Sequence, residues 1–456
     1  MTATVTYTFK SSLLQSLKSN VMSGSDRYYI AIGRSNVWNS TDTPPITADS
    51  DISSLDFIQK SRHPLIAYKK VFSSSLVVPR IDWTSGTIYE AYTDLNSNID
   101  LTTKPYYVMN DNLRVYVCLE QAKNALGQGV ASTVKPTGVS LTPFTTSDGY
   151  VWQYLYQVGP EDANSFMTNN FIPVQYLKDE ASAVSAVEVE QYSLQQASVS
   201  GSVLGIEMVS GGSGYSGTVT VNITGGGSGA QGTAVLSGGS VVSIKMDSDT
   251  LGNVLSGSGY RNSSVEIVGN GTGAEAIAVL GPSAGITADP TVSLRSETVM
   301  FHSDFIDTED GRILSTNDFR QVLLIKNPTK YNSTAAFTSQ VGNALRRLNF
   351  STVPVAFLSD KEIIGTTSQA KAYLVHYDTA AWIYQNETTG FEEFSPGENV
   401  EAVEGSGSGQ GTLASTNTVT APDVDIYSGD VLYINNIAAV TRDPNQTEDV
   451  KVVIKL

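Results

Sequence analysis

Short runs rich in Val, Ile, Tyr, Trp and Thr, separated by turn signals, set what this chain can become. Tyr28-Tyr29-Ile30-Ala31-Ile32-Gly33, Ser75 to Pro79, Tyr106 to Met109, Leu113 to Leu119, Tyr150 to Tyr156 and Phe319 to Ile325 all follow this pattern. Such runs bounded by turn residues read as strands, and β-branched and aromatic residues suit a pleated, half-buried surface. Helical spacing is scarce. Ser11 and Ser12 can cap a short helix whose apolar residues Leu13, Leu14, Leu17 and Val21 share a face. A weak helical stretch runs from Glu161 to Thr168, and a stronger one from Ala335 to Leu348; Val5 to Phe9 alternates like a strand. The fold class that follows is mainly β, with few short helices.

Near residue 200 the composition changes. Residues 201–281 hold 20 of the 39 glycines and only two aromatic residues, Tyr215 and Tyr260. Gly212-Ser213-Gly214-Tyr215 recurs as Gly257-Ser258-Gly259-Tyr260, and Ala234-Val235-Leu236 recurs as Ala278-Val279-Leu280. Each copy reads as a hairpin or a few strands joined by glycine turns. Two copies are fewer than the ~3 that a free-standing solenoid needs, so they should pack on each other or on a partner. A second polar, glycine-rich tract lies at 405–411, inside a stretch from about 357 to 427, and two strand signals, Val431 to Ile434 and Val450 to Leu456, close the chain.

Charge excludes several functions. With 28 Lys+Arg against 45 Asp+Glu, the formal net charge is −17. A nucleic-acid binder needs a cationic face to displace counterions, and an anionic membrane surface asks the same. Neither nucleic acid nor membrane is therefore expected as a partner. Charged residues are only 16% of the chain, while 40% are hydrophobic, enough to fill several cores. The single cysteine, Cys118, cannot form an intrachain disulfide and points to synthesis in a reducing compartment. No stretch reaches the ~18 apolar residues of a membrane-spanning helix. Met1 to Lys10 lacks the pattern of a signal peptide.

No motif carries chemistry by itself. Gly227-Ser228-Gly229-Ala230-Gln231-Gly232 fits the dinucleotide-binding spacing, but a strand and turn follow where a helix is required, so a glycine turn is the reading. Asp247-Ser248-Asp249-Thr250-Leu251-Gly252-Asn253 resembles a calcium loop only loosely, because Ser258 stands where the bidentate Glu belongs; it too reads as a turn. Asp307 to Gly311 is read likewise. His63, His302 and His376 are widely spaced, which speaks against a His-rich metal site, and His63, between Arg62 and Pro64, reads as a surface loop residue. Carboxylate pairs such as Glu392-Glu393 and Asp423-Asp425 exist, but sequence cannot set them at the ~5–9 Å of a catalytic pair, and adjacent strand residues point to opposite faces. No catalytic residue, cofactor or metal is expected, and the chain is not expected to be an enzyme.

Seven strings, in order along the chain, resemble the wedge protein family of the T4-like (T-even) phage baseplate that forms dimers at the outer part of the wedge. They are Ile30-Ala31-Ile32-Gly33-Arg34-Ser35 with Trp38, Pro44 and Pro45; Val78-Pro79-Arg80-Ile81-Asp82-Trp83; Val115-Tyr116-Val117-Cys118-Leu119; Asp148 to Leu155; Phe319-Arg320-Gln321 through Asn327-Pro328; Ser428-Gly429-Asp430 with Tyr433; and Gln446-Thr447-Glu448-Asp449. The resemblance covers roughly residues 25–175, 295–350 and 427–456. It implies a structural virion component of the tail baseplate, made in the host cytoplasm, with a β-sandwich core built from N- and C-terminal parts. The implied partners are a second copy of the chain and the other wedge subunits, through assembly and the baseplate rearrangement that precedes contraction. The implied organisation is 1–190 as the N-terminal part of the core, 191–290 as an inserted domain of two β repeats, 291–356 as a return to the core, 357–427 as a second small insertion, and 428–456 as the closing strands.

Six residues in these strings are candidate interface or loop anchors: Arg34, Trp38, Arg80, Trp83, Trp152 and Arg320. Aromatic residues and Arg are enriched in protein contacts. A buried Arg needs a carboxylate fork, for which Asp82 or Asp148 is available. Trp152 lies mid-strand, which favours the core over an interface. Tyr215 and Tyr260 carry an alternative reading, a glycan-binding (adhesin-like) virion module in which the two rings stack on sugars; the competing role is to cover the glycine turns. A glycan hydrolase is a third reading, resting on a carboxylate pair that sequence cannot place in space.

Overall fold

The computed structural model describes residues 7–24, 26–48, 51–94, 104–352 and 354–455. Strand accounts for 41% and helix for 11%, so the chain is mainly β, with several antiparallel sheets and few short helices. It divides into two compact units: Met1–Gln15 with Ser75–Val299 and Lys455–Leu456, and Ser16–Ser74 with Met300–Ile454.

In the first unit a four-stranded antiparallel sheet runs in the order Tyr107–Met109, Arg114–Glu120, Val151–Gln157, Phe144–Thr145. Its strands alternate between two cores. Tyr107, Met109, Val115, Val117, Leu119 and Leu155 face one. Val108, Tyr116, Cys118, Trp152 and Tyr154 face the other, together with Leu194 from the helix Ala186–Gln196. Burial on both faces explains why these strands read as continuous apolar runs rather than alternating ones. The weak helical signal after Glu161 corresponds to a helix at Pro160–Phe166.

The glycine-rich repeats fold as one interleaved unit. Thr220–Thr224 of the first copy pairs antiparallel with Ser264–Val268 of the second, Asn222 opposite Glu266. Val203–Ser213 pairs with Thr272–Leu280, and Gly232–Ser237 forms a hairpin with Ser240–Met246. The two copies exchange glycine contacts. A Cβ on Gly212 (φ +60°) would lie 2.4 Å from the Ala274 nitrogen, and one on Gly257 (φ +60°) would lie 2.4 Å from the Ala230 nitrogen. Only glycine tolerates both the left-handed backbone and that approach.

The second unit holds a five-stranded sheet in the order Val341–Asn343, Leu65–Lys70, Tyr28–Gly33, Asp318–Lys326, Asp430–Thr441. N- and C-terminal parts of the chain thus share one sheet. Tyr29, Ala31, Leu65, Tyr68, Leu323 and Ile325 fill its core. A seven-stranded sheet joins Arg346–Asn349 to strands between Lys361 and Thr420. The strand Thr298–Ile306 neighbours the last strand, Thr447–Lys455.

Three local expectations change. Ala335 to Leu348 is not a helix but contains the strands Val341–Asn343 and Arg346–Asn349. Gly342 sits where a Cβ would be 2.5 Å from the Phe337 ring, and the Asn343 side chain bonds both the amide and the carbonyl of Leu345. Sheet pairing and that local bridge outweigh a periodic pattern that includes a poor helix former, Gly. Tyr7 to Phe9 begins the helix Tyr7–Ser23 instead of a strand, while Val5 and Thr6 lie outside the described residues. His63 is not a surface residue. It is 9% exposed, ends the helix Leu55–Arg62, and meets the Phe391 and Tyr427 rings edge-on.

Candidate interaction surface

Three of the six anchor residues meet in the second unit. The strand Tyr28–Gly33 stops at Gly33, and Arg34 turns left-handed with φ +60°. The Arg34 guanidinium lies 4.1 Å over the Trp38 ring, a cation–π arrangement. Burial lowers the Arg34 pKa from its ordinary value. The Trp38 indole donates to the Ile437 carbonyl at 3.1 Å, and its amide donates to Asp42 Oδ1 at 3.0 Å. Asp42 in turn receives Arg320 Nε on both oxygens at 2.9 Å. Arg320, 4% exposed, also donates to Asp318 Oδ2 at 3.0 Å and to the Ser35 carbonyl. The amide of Trp38 and then the guanidinium hold the Asp42 carboxyl below its usual pKa.

This cluster fixes the loop after Gly33 against the strands Asp318–Lys326 and Asp430–Thr441. The same loop presents Val37 at 53% and Ile46 at 96% exposure. Beside it, Asp430–Thr441 is the terminal strand of its sheet. A cavity of about 510 Å³ opens between this strand and Thr447–Lys455, lined by Phe319, Val322, Tyr433, Ile437, Val450 and Val452 among others. Its lining also carries polar side chains, Asn435, Gln446, Glu448, Asp449 and Lys451 among them, and a mixed cleft beside two sheet ends and exposed aliphatic residues suits a protein contact.

The other three anchors belong to the first unit. Arg80 Nε forks onto Asp82 at 3.1 and 3.0 Å, the carboxylate that sequence proximity suggests. The Trp83 indole donates to Ser132 Oγ at 3.2 Å, and that hydroxyl donates to Asp148 Oδ2 at 3.0 Å. Among the described residues Asp148 pairs with no arginine; it gathers the amides of Thr133 and Val134 instead. Trp152 is fully buried, stacked 5.6 Å from Tyr150 and edge-on to Tyr89 at 5.7 Å.

Tyr215 and Tyr260 are not available to stack on sugars. They are 4% and 3% exposed and pack in the repeat core. Tyr215 covers Gly269 and Gly271 of the second copy, and Tyr260 covers Gly227 of the first. Each hydroxyl accepts an amide of the opposite copy, Ala274 at 3.4 Å and Ala230 at 3.3 Å. Burial therefore replaces the platform role with a cross-repeat clamp. The loop from Asp247 is a turn held by its own side chain: Asp249 Oδ1 accepts the amides of Leu251 and Asn253.

Sequence reasoning missed the partner of Arg320. Asp42 lies 278 positions away, and only the pairing of Tyr28–Gly33 with Asp318–Lys326 brings the two together. Arg442 was missed as well. Its guanidinium is buried against Glu448 at 2.7 Å and donates to the Asp307 carbonyl at 2.7 Å. A lone Arg just beyond a strand was the only available signal.

The fold is that of a β-rich protein with several antiparallel sheets. No protein-family model matches the chain. Over 207 residues it is 26% identical to the baseplate wedge protein gp8 of Enterobacteria phage T4. That similarity covers 38% of this chain and 61% of the T4 protein. The likeness is distant and spans less than two thirds of the T4 protein's length.

Proposed function

We propose that the chain is a structural subunit of the baseplate wedge of a contractile-tailed phage. It acts as a homodimer in permanent contact with other wedge subunits, through tail assembly and the rearrangement of the baseplate, and it catalyses no reaction. The observation that carries this reading is the similarity to the T4 wedge protein. The geometry is compatible with it. Arg34, Trp38, Arg320, Arg80 and Trp83 hold loops, the terminal strands and the cleft between them offer contact surface, and two copies of one edge strand can pair antiparallel about a two-fold axis. Residues 191–290 and 357–427 are, in this reading, insertions that alter the outer surface, with the core formed by 1–190, 291–356 and 428–456. The virion is the place of action, with synthesis in the host cytoplasm and neither nucleic acid nor membrane as partner.

Sedimentation velocity on the full chain at micromolar concentration tests the dimer. A species of twice the 48.6 kDa chain mass is expected. A monomer at every concentration refutes homodimerisation.

A further inference from the structure

We propose that His302, Asp304 and Asp449 form a binding site for a first-row divalent cation such as Zn2+ or Mn2+, stapling the last strand to its neighbour. His302 and Asp304 are two positions apart on Thr298–Ile306, so the pleat places both side chains on one face. Asp449 lies on the adjacent strand Thr447–Lys455. His302 Nε2 is 3.0 Å from Asp304 Oδ1 and 3.0 Å from Asp449 Oδ1. All three donor atoms lie within 4.8 Å of one another.

That spacing accommodates a metal. Two ligands bound at ~2.1 Å in cis positions of an octahedron stand ~3.0 Å apart. One imidazole with two carboxylates suits Zn2+ or Mn2+ better than Ca2+, which prefers an all-oxygen shell. The histidine side chain is 12% exposed, so its orientation is set by packing. The carboxylates are 43% and 44% exposed and face water that can complete the shell. Lys451 contacts the other oxygen of Asp449, which leaves Oδ1 to the metal and trims the negative charge of the site. The wide spacing of the histidines in sequence conceals this arrangement, because its third ligand arrives 147 positions after the first.

Without a metal, the same three groups would be an ion-paired histidine held between two carboxylates. Calorimetric titration of the EDTA-treated full chain with ZnCl2, and separately with MnCl2, distinguishes the two. The expected result is one saturable equivalent for at least one of the ions, with a rise of several degrees in Tm at saturation. His302→Gln and Asp449→Asn should each remove the binding, whereas His63→Gln, at the other paired histidine, should retain it. Circular dichroism of each variant shows that a loss is not unfolding. Absence of saturable binding by the wild-type chain for both ions overturns the proposal. Binding that survives intact in folded His302→Gln and Asp449→Asn overturns it too.

Discussion

Glu120 offers a test of the packing around the first unit's sheet. It ends the strand Arg114–Glu120, and its Oε2 accepts the Met246 amide at 3.1 Å. Burial drives its pKa up to about 7 from 4.5, against the smaller pull of the Met246 amide and of Lys245 and Lys123. A carboxyl with a raised native pKa binds more protons folded than unfolded between those two values. Stability is therefore present in full below pH 4.5 and is lost as pH rises through 7. Moving the pKa that far corresponds to about 3 kcal/mol, of which about 2.5 falls between pH 5 and pH 8. Glu120→Gln keeps an acceptor for the Met246 amide and removes the titration. Its advantage over wild type should be below about 1 kcal/mol at pH 5 and reach about 3 kcal/mol at pH 8. For a unit of this size that is about 5–10 °C in Tm. Differential scanning calorimetry of both proteins at pH 5, 6, 7 and 8 reads it directly. A difference independent of pH, or a variant less stable than wild type at pH 8, would refute the reasoning.

Arg320→Met removes the cation from Asp42 and Asp318 and leaves the Ser35 carbonyl without its donor. Because both carboxylates are partly exposed, the expected loss is about 3 kcal/mol, at the low end for a broken buried pair; a change in urea-derived stability under 0.5 kcal/mol contradicts the clamp. Gly212→Ala and Gly257→Ala should destabilise to similar extents, by more than about 1 kcal/mol each, since both face a backbone nitrogen at 2.4 Å with φ +60°. A harmless substitution at either position would break the symmetry argued for the two repeats.

How much of this was readable in advance depends on range. Strands with continuous β-branched and aromatic runs, such as Tyr28–Gly33 and Val151–Gln157, announce themselves, because burial on both faces leaves a local signature. The repeat was visible as the Gly-Ser-Gly-Tyr string, yet its packing was not. Tyr215 covers glycines of the other copy, a contact that periodicity cannot assign. The same holds for the arginines. Arg80 finds its carboxylate two residues away, whereas Arg320 finds Asp42 only through a sheet that joins distant parts of the chain. Ala335 to Leu348 misled because its helical spacing is local, while the pairing of Val341–Asn343 with Leu65–Lys70 that replaces it is long-range.

The central proposal is that this chain is a fixed part of a phage baseplate. Cryo-electron microscopy of purified tail particles that contain it decides the matter. The prediction is density for the chain in the wedge as two-fold pairs, with the loop after Gly33 or the strand pair 430–455 against a neighbouring subunit. Assembled baseplates in which the chain occupies no position would contradict it.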